Sequence, residues 1–100
     1  MLPFERLKRS NKIENLWLYI LSLLKDRGIY GLEIPSLIKN KFGFKPGKIT
    51  PYRVLYRLEQ TGFVKSKLEE KRRIYQITEK GEKELETAKE FYKEILKKID

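Results

Sequence analysis

The sequence contains no cysteine and no histidine. Without cysteine there are no disulfides and no thiolate chemistry, which excludes a secreted fold held together by staples. Without histidine, zinc and copper lose their usual nitrogen ligand and catalysis loses its usual general base. An enzyme would have to rely on Asp, Glu, Lys or Tyr, and no carboxylate cluster lies on an apolar face. Gly43 to Thr50 has the glycines and lysines of a phosphate loop, but it is one residue short, no apolar strand precedes it, and Thr50 is not adjacent to Lys48. Long hydrophobic runs are missing as well. The longest, Leu16 to Leu24, is interrupted by Ser22 and is too short to span a bilayer. Residues 1–12 carry charge throughout and lack the apolar stretch of a signal peptide. These absences lead to the expectation of a cytoplasmic protein that is not an enzyme, with no metal, cofactor or membrane partner.

What is present is a basic chain of 100 residues, 40% hydrophobic and 37% charged, with a formal net charge of +9. That length suits one domain with one modest core. The wealth of Lys, Glu and Ile leans toward a heat-adapted source. The charge is not spread evenly. Residues 1–12 hold four basic and one acidic side chain, residues 39–57 six basic and none acidic, and residues 63–73 five basic and two acidic. The last stretch, 79–100, sets six lysines against seven acids. Three positive blocks are the footprint of a face that binds a polyanion.

Hydrophobic spacing predicts the elements. Ile13, Leu16, Trp17, Ile20, Leu21, Leu23 and Leu24 recur at helical steps, with Asn11 as N-cap and Gly28 as left-handed C-cap. A second helix runs from about Leu32 to Phe42, with Pro35 tolerable only in its first turn. Gly43 to Lys48 breaks it. Thr50-Pro51 then reads as an N-cap hydroxyl followed by a first-turn proline, opening a third helix that stops at Gly62. Phe63 to Leu68 and Arg73 to Thr78 read as the strands of a hairpin. Glu79 to Ile99 reads as one long helix with Lys–Glu pairs three and four apart. The order is helix, helix, helix, hairpin, helix. That is an α+β, mostly α, winged helix-turn-helix over residues 13–78, between a basic N-terminal arm (1–12) and a C-terminal dimerisation helix (79–100).

The third helix carries the most information. On it Pro51, Val54, Leu55 and Leu58 share one side, while Arg53, Tyr56, Arg57 and Gln60 share the other, with Tyr52 on the flank. A helix of this kind fits the major groove, where Arg binds guanine edges bidentately and Lys, Arg and Tyr hold phosphates. Lys45, Lys48 and Thr50 precede it, and Tyr52 is equally placed to pack on the loop carrying the two lysines. Lys65, Lys67, Lys71, Arg72 and Arg73 decorate the hairpin, either as a wing laid on phosphates or as an edge protected by charge. In the last helix Leu85, Ala88, Tyr92, Ile95 and Ile99 follow a 3-4-3-4 spacing, a seam suited to a second helix. Leu16 and Trp17 of the first helix, with Leu2, Phe4 and Leu7 before it, are candidates to complete that interface. The expected function is sequence-specific binding of double-stranded DNA by a homodimer. The alternatives are an architectural protein that coats DNA and a winged-helix module that docks on protein. The basic third helix argues against the last, because a protein-docking helix more often exposes apolar residues.

Three stretches also carry a family resemblance. PYRVLYRLEQTGFV, residues 51–64, resembles the third helix and first wing strand of the PadR family of winged-helix regulators. RRIYQITEKG, residues 72–81, is similar to its second wing strand, and YGLEI, residues 30–34, to its Gly-aromatic-Glu-Ile opening. The likeness spans roughly residues 15 to 82. It implies a homodimeric repressor of transcription with the third helix in the major groove and the C-terminal helices in mutual contact. By position, Tyr52 and Arg53 match the family's Tyr-Arg pair. Pro51 departs from the usual aliphatic residue, and Pro35 is unusual in the second helix. The short C-terminal part matches the smaller members with one helix there. Some relatives bind a small aromatic effector at the dimer interface, and no pattern in this sequence supports one here.

Overall fold

A computed structural model describes residues 2–100; Met1, first residue of the expected arm, lies outside the described residues. Helix α1 spans Pro3–Ser10, a 3₁₀ turn follows at Ile13–Asn15, and α2 spans Leu16–Leu24. A short strand, β1 (Ile29–Tyr30), leads through a second 3₁₀ turn at Gly31–Glu33 into α3 (Ile34–Phe42). Then come α4 (Thr50–Gln60), β2 (Val64–Glu69), β3 (Arg72–Ile77) and α5 (Glu79–Ile99). The three strands form one antiparallel sheet in the order β1-β3-β2. The core gathers one face of each element: Leu16, Ile20, Leu21 and Leu24 of α2, Ile34 and Ile38 of α3, Leu55 and Leu58 of α4, with Ile29, Val64, Tyr75 and Leu85 closing it. This is the expected winged helix-turn-helix, with two additions.

The first addition is α1, where an irregular arm was expected. Pro3 sits in its first turn with Glu5, and Lys8 and Arg9 sit in its last, an order that suits the helix dipole. Asn11 ends this helix instead of starting the next: its Nδ2 donates to the Leu7 carbonyl at 2.8 Å. The second addition is β1, absent from the two-stranded wing that was expected. Ile29 and Tyr30 pair with Tyr75 and Ile74. To reach that register α2 stops at Leu24, short of Gly28, which is not left-handed. A Cβ at Gly28 would lie 3.2 Å from the side chains of Ile74 and Gln76, so the residue serves close approach to β3.

Helix α4 is held at both ends by backbone geometry. Thr50 is its first helical residue, not its N-cap; Ile49 takes that place, and no side chain caps it. Pro51 is in the first turn as expected, and so is Pro35 in α3. At the other end Phe63 N–H donates to the Leu58 carbonyl (2.8 Å) and Gly62 N–H to the Glu59 carbonyl (3.1 Å). This pair of bonds needs a left-handed residue, and Gly62 has φ +85°. Thr78 pins α4 to α5. Its hydroxyl donates to the Gly62 carbonyl at 2.6 Å and accepts from Gly81 N–H at 3.1 Å as N-cap of α5. Gly81 is buried where α5 crosses the start of the wing, and a Cβ there would fall on the Phe63 carbonyl.

Candidate nucleic-acid interface

Helix α4 separates its residues as the periodicity predicts. Pro51, Leu55 and Leu58 are buried; Arg53, Tyr56, Arg57 and Gln60 are exposed. Gln60 Nε2 donates to the Tyr56 hydroxyl at 2.9 Å, so the two hold each other upright on the outer face. Thr50, Tyr52, Arg53, Tyr56 and Arg57 line one shallow hollow along the helix. Tyr52 turns toward the sheet. Its ring lies where a Cβ on Gly31 would meet it at 3.4 Å, beside Tyr75, which anchors one edge of the helix to the sheet. Burial, with the Glu59 charge adding to it, pushes the Tyr75 hydroxyl above the usual phenol range and keeps it neutral.

Lys45 and Lys48 are exposed in the loop before α4 and flank a second hollow with Pro35, Ser36 and Lys39. Lys39 was counted in the charge block, yet only the packing of α3 against the loop brings it beside the other two. Ile49, next in the chain, was overlooked: it is 65% exposed at the very start of α4.

The wing distributes its five basic residues over two faces and a tip. The register pairs Lys65 with Gln76, Lys67 with Ile74 and Glu69 with Arg72, so Lys65, Lys67 and Arg72 share one face. Arg72 lies over the Tyr30 ring with its guanidinium 4.3 Å from the ring centroid, a contact that only β1 makes available. Arg73 points to the opposite face. It donates to Ser66 Oγ at 3.0 Å, and Ser66 donates to Glu59 at 2.6 Å, which ties the wing to α4. Lys71 is at the tip, where Glu70 and Lys71 both have positive φ (49° and 66°), the pairing that a two-residue hairpin turn requires. Among the described residues every ion pair lies within α5, and none involves a basic residue of α4, its preceding loop or the wing.

The expected dimer seam divides into two. Leu16 and Leu85 are 1% and 4% exposed, and both are consumed by the protomer's own core, so neither is available to a second chain. Their helical spacing is real, but the covering partner is this same domain. Trp17 and Ala88 are half-buried along the α2–α5 junction. Tyr92 is half-buried and donates to Asn11 Oδ1 at 2.8 Å, joining α5 to the end of α1. Tyr19 donates to the Asn11 carbonyl and stacks edge-on with Phe42 and Phe44; burial raises its pKa, with Tyr92 adding to the effect. Beyond Tyr92 the stripe is open. Ile95 and Ile99 are exposed as expected, and so are Phe91 and Leu96, which the heptad reading left out. With Phe4 and Leu7 of α1 they line an apolar groove of about 640 Å³.

Helices α2, α3 and α4, a wing, and exposed arginines on α4 define the class: a winged helix-turn-helix protein. Comparison with known proteins gives the family. A model of the transcriptional regulator PadR-like family matches residues 20–87, and the chain belongs to that family. A solved transcriptional regulator from Clostridium thermocellum is 34% identical over 83% of this chain and 86% of its own, with a TM-score of 0.75. A PadR family transcription regulator from Clostridium difficile is 28% identical, covering 81% and 90%, also at 0.75. Bacillus subtilis PadR, solved in complex with operator DNA, is 26% identical over 76% of this chain and 47% of its own, with a TM-score of 0.64; it has also been solved with p-coumaric acid. No curated protein sequence matches. The family consists of transcription regulators and not of enzymes. Among the described residues no helix is long and apolar enough to cross a membrane, and no group of three or more acidic side chains is placed to hold a metal ion.

Proposed function

We propose that this chain is a homodimeric repressor that binds a specific double-stranded DNA operator in the cytoplasm. The observation that carries the reading is the outer face of α4, where Arg53 and Arg57 stand exposed beside Tyr56 and Gln60 with no acid paired to them. Unpaired guanidinium groups on a groove-sized helix suit guanine edges and phosphates. Lys45, Lys48, Lys65, Lys67, Lys71 and Arg72 flank that face as phosphate contacts. Arg73 and Tyr52 hold the wing and helix in position, and Thr50 lines the start of the helix. The operator complex of Bacillus subtilis PadR supports the assignment by likeness. A second copy of the chain covers the apolar groove, with Phe91, Tyr92, Ile95, Leu96 and Ile99 of α5 and Phe4 and Leu7 of α1 at the contact. Trp17 and Ala88 lie at its margin. No effector is assigned.

Salt titration tests the reading. With about half of each protomer's proposed phosphate contacts engaged, roughly six phosphates per dimer, log K falls against log salt with a slope of about −5. A slope near zero, or no binding at low salt, overturns it. Competition with random duplex in the same assay separates a specific regulator from an architectural protein, which would show little preference.

A further inference from the structure

We propose that Ile49 is a base-reading residue, docking on the methyl group of a thymine in the major groove. The inference rests on the proposed entry of α4 into that groove and adds a sequence preference to it. Ile49 already has helical backbone angles (φ −94°, ψ −38°), and its carbonyl accepts from the N–H groups of Tyr52 at 3.0 Å and Arg53 at 3.3 Å. Its place on the helix is therefore fixed. At about 100° per residue it falls within roughly 60° of each of Tyr52, Arg53, Tyr56 and Gln60, and opposite Pro51 and Leu58. It thus stands in the middle of the outer face.

Local folding gains nothing from an isoleucine there. Ile is a poor N-cap, its side chain caps no N–H, and it is 65% exposed outside the core. Single exposed aliphatic residues are ordinary on protein surfaces. The position is what distinguishes this one: helix-turn-helix proteins touch base edges with the N-terminal residues of the recognition helix. Every other large side chain on this face offers a hydrogen bond or a charge. Of the four base edges in the major groove, thymine alone presents a methyl group, and apolar side chains are its partners. Arg53 follows four residues later, about 6 Å along the axis. Duplex steps are about 3.4 Å, so the thymine read by Ile49 lies one or two base pairs from the guanine read by Arg53.

The test uses duplexes selected by the full-length protein from a random pool, with each thymine then replaced singly by deoxyuridine. That change deletes the methyl and keeps the pairing. We expect one thymine per half-site at which the replacement weakens wild-type binding about four-fold, or roughly fifteen-fold when both half-sites are changed. Ile49→Ala should lose the same factor on the thymine duplex and show no further loss with deoxyuridine, while Ile49→Val keeps most of the discrimination. Thermal unfolding of both variants should match wild type, since the side chain is outside the core. Equal deoxyuridine sensitivity of wild type and Ile49→Ala at every thymine, or none in wild type, overturns the inference and leaves the DNA-binding function standing. Failure to select any duplex overturns that function, and this inference with it.

Discussion

The lysines of α5 and those of the wing are the same side chain in opposite circumstances. Lys83, Lys89, Lys93 and Lys98 each have a glutamate one turn earlier on the helix, at 3.2 to 4.0 Å. Such exposed pairs add little to stability, but they cancel the local field. Lys65 and Lys67 have no such neighbour, and neither do Arg53 and Arg57 on α4. The apolar surface follows the reverse rule. On α4 it is turned inward and covered apart from Ile49 at its start, whereas beyond Tyr92 on α5 it is open. The surface of α4 and the wing is thus left with uncompensated charge, and the groove between α5 and α1 with uncompensated hydrophobic area. A polyanion suits the first and a second copy of the chain the second. Lysine content alone would not have separated them, because α5 is as rich in lysine as the wing.

The comparison is broken most severely by putting charge where the apolar surface is. Leu96→Glu with Ile99→Glu changes two side chains that are exposed in the protomer, so the fold should hold and sedimentation should show a monomer. Operator affinity should then fall by at least about a hundred-fold, since each half-site binds poorly alone. An intact dimer would remove α5 from the interface. Next in size is Arg53→Ala on α4, which should cost about 1–3 kcal/mol per half-site and relax the base preference at one position in each. Unchanged operator affinity in a binding titration would mean that α4 presents a different surface to the groove. The smallest effect is that of Lys67→Ala. It should weaken all duplexes alike by a few-fold and make the salt slope shallower by about 1.8, one phosphate being lost per protomer. A loss confined to one sequence would show that the wing reads bases.

The sequence predicted some of these elements well and others poorly, for physical reasons. Helix α4 was legible because proline and glycine bracket it and its two faces differ in chemistry. Helix α5 was legible because its period runs unbroken from Glu79 to Ile99. Helix α1 was not, since Phe4 and Leu7 are too few to set a period and four basic residues look like an arm. Strand β1 is two residues long and exists only because β3 offers it an edge. Leu16 and Leu85 show a deeper limit: spacing reveals which face is apolar, not whose surface covers it. Lys39 joins Lys45 and Lys48 only through tertiary packing. Ile49 was passed over because an aliphatic residue outside the core pattern looks like filler until its angle on the helix is known.

Gly81 sets the rooting angle of a long lever. The helix rooted there spans Glu79–Ile99 and so reaches about 27 Å beyond Gly81 at 1.5 Å per residue. A tilt of about 10° at the root would swing the far tip by about 5 Å over that length. In a dimer clasped near those tips, the swing is passed to the separation of the two recognition helices, which must stay near 34 Å to meet successive major grooves. In the proposed dimer, the missing side chain that lets α5 touch the Phe63 carbonyl would therefore do the work of a gauge, setting at one buried point the spacing of the two copies along the double helix.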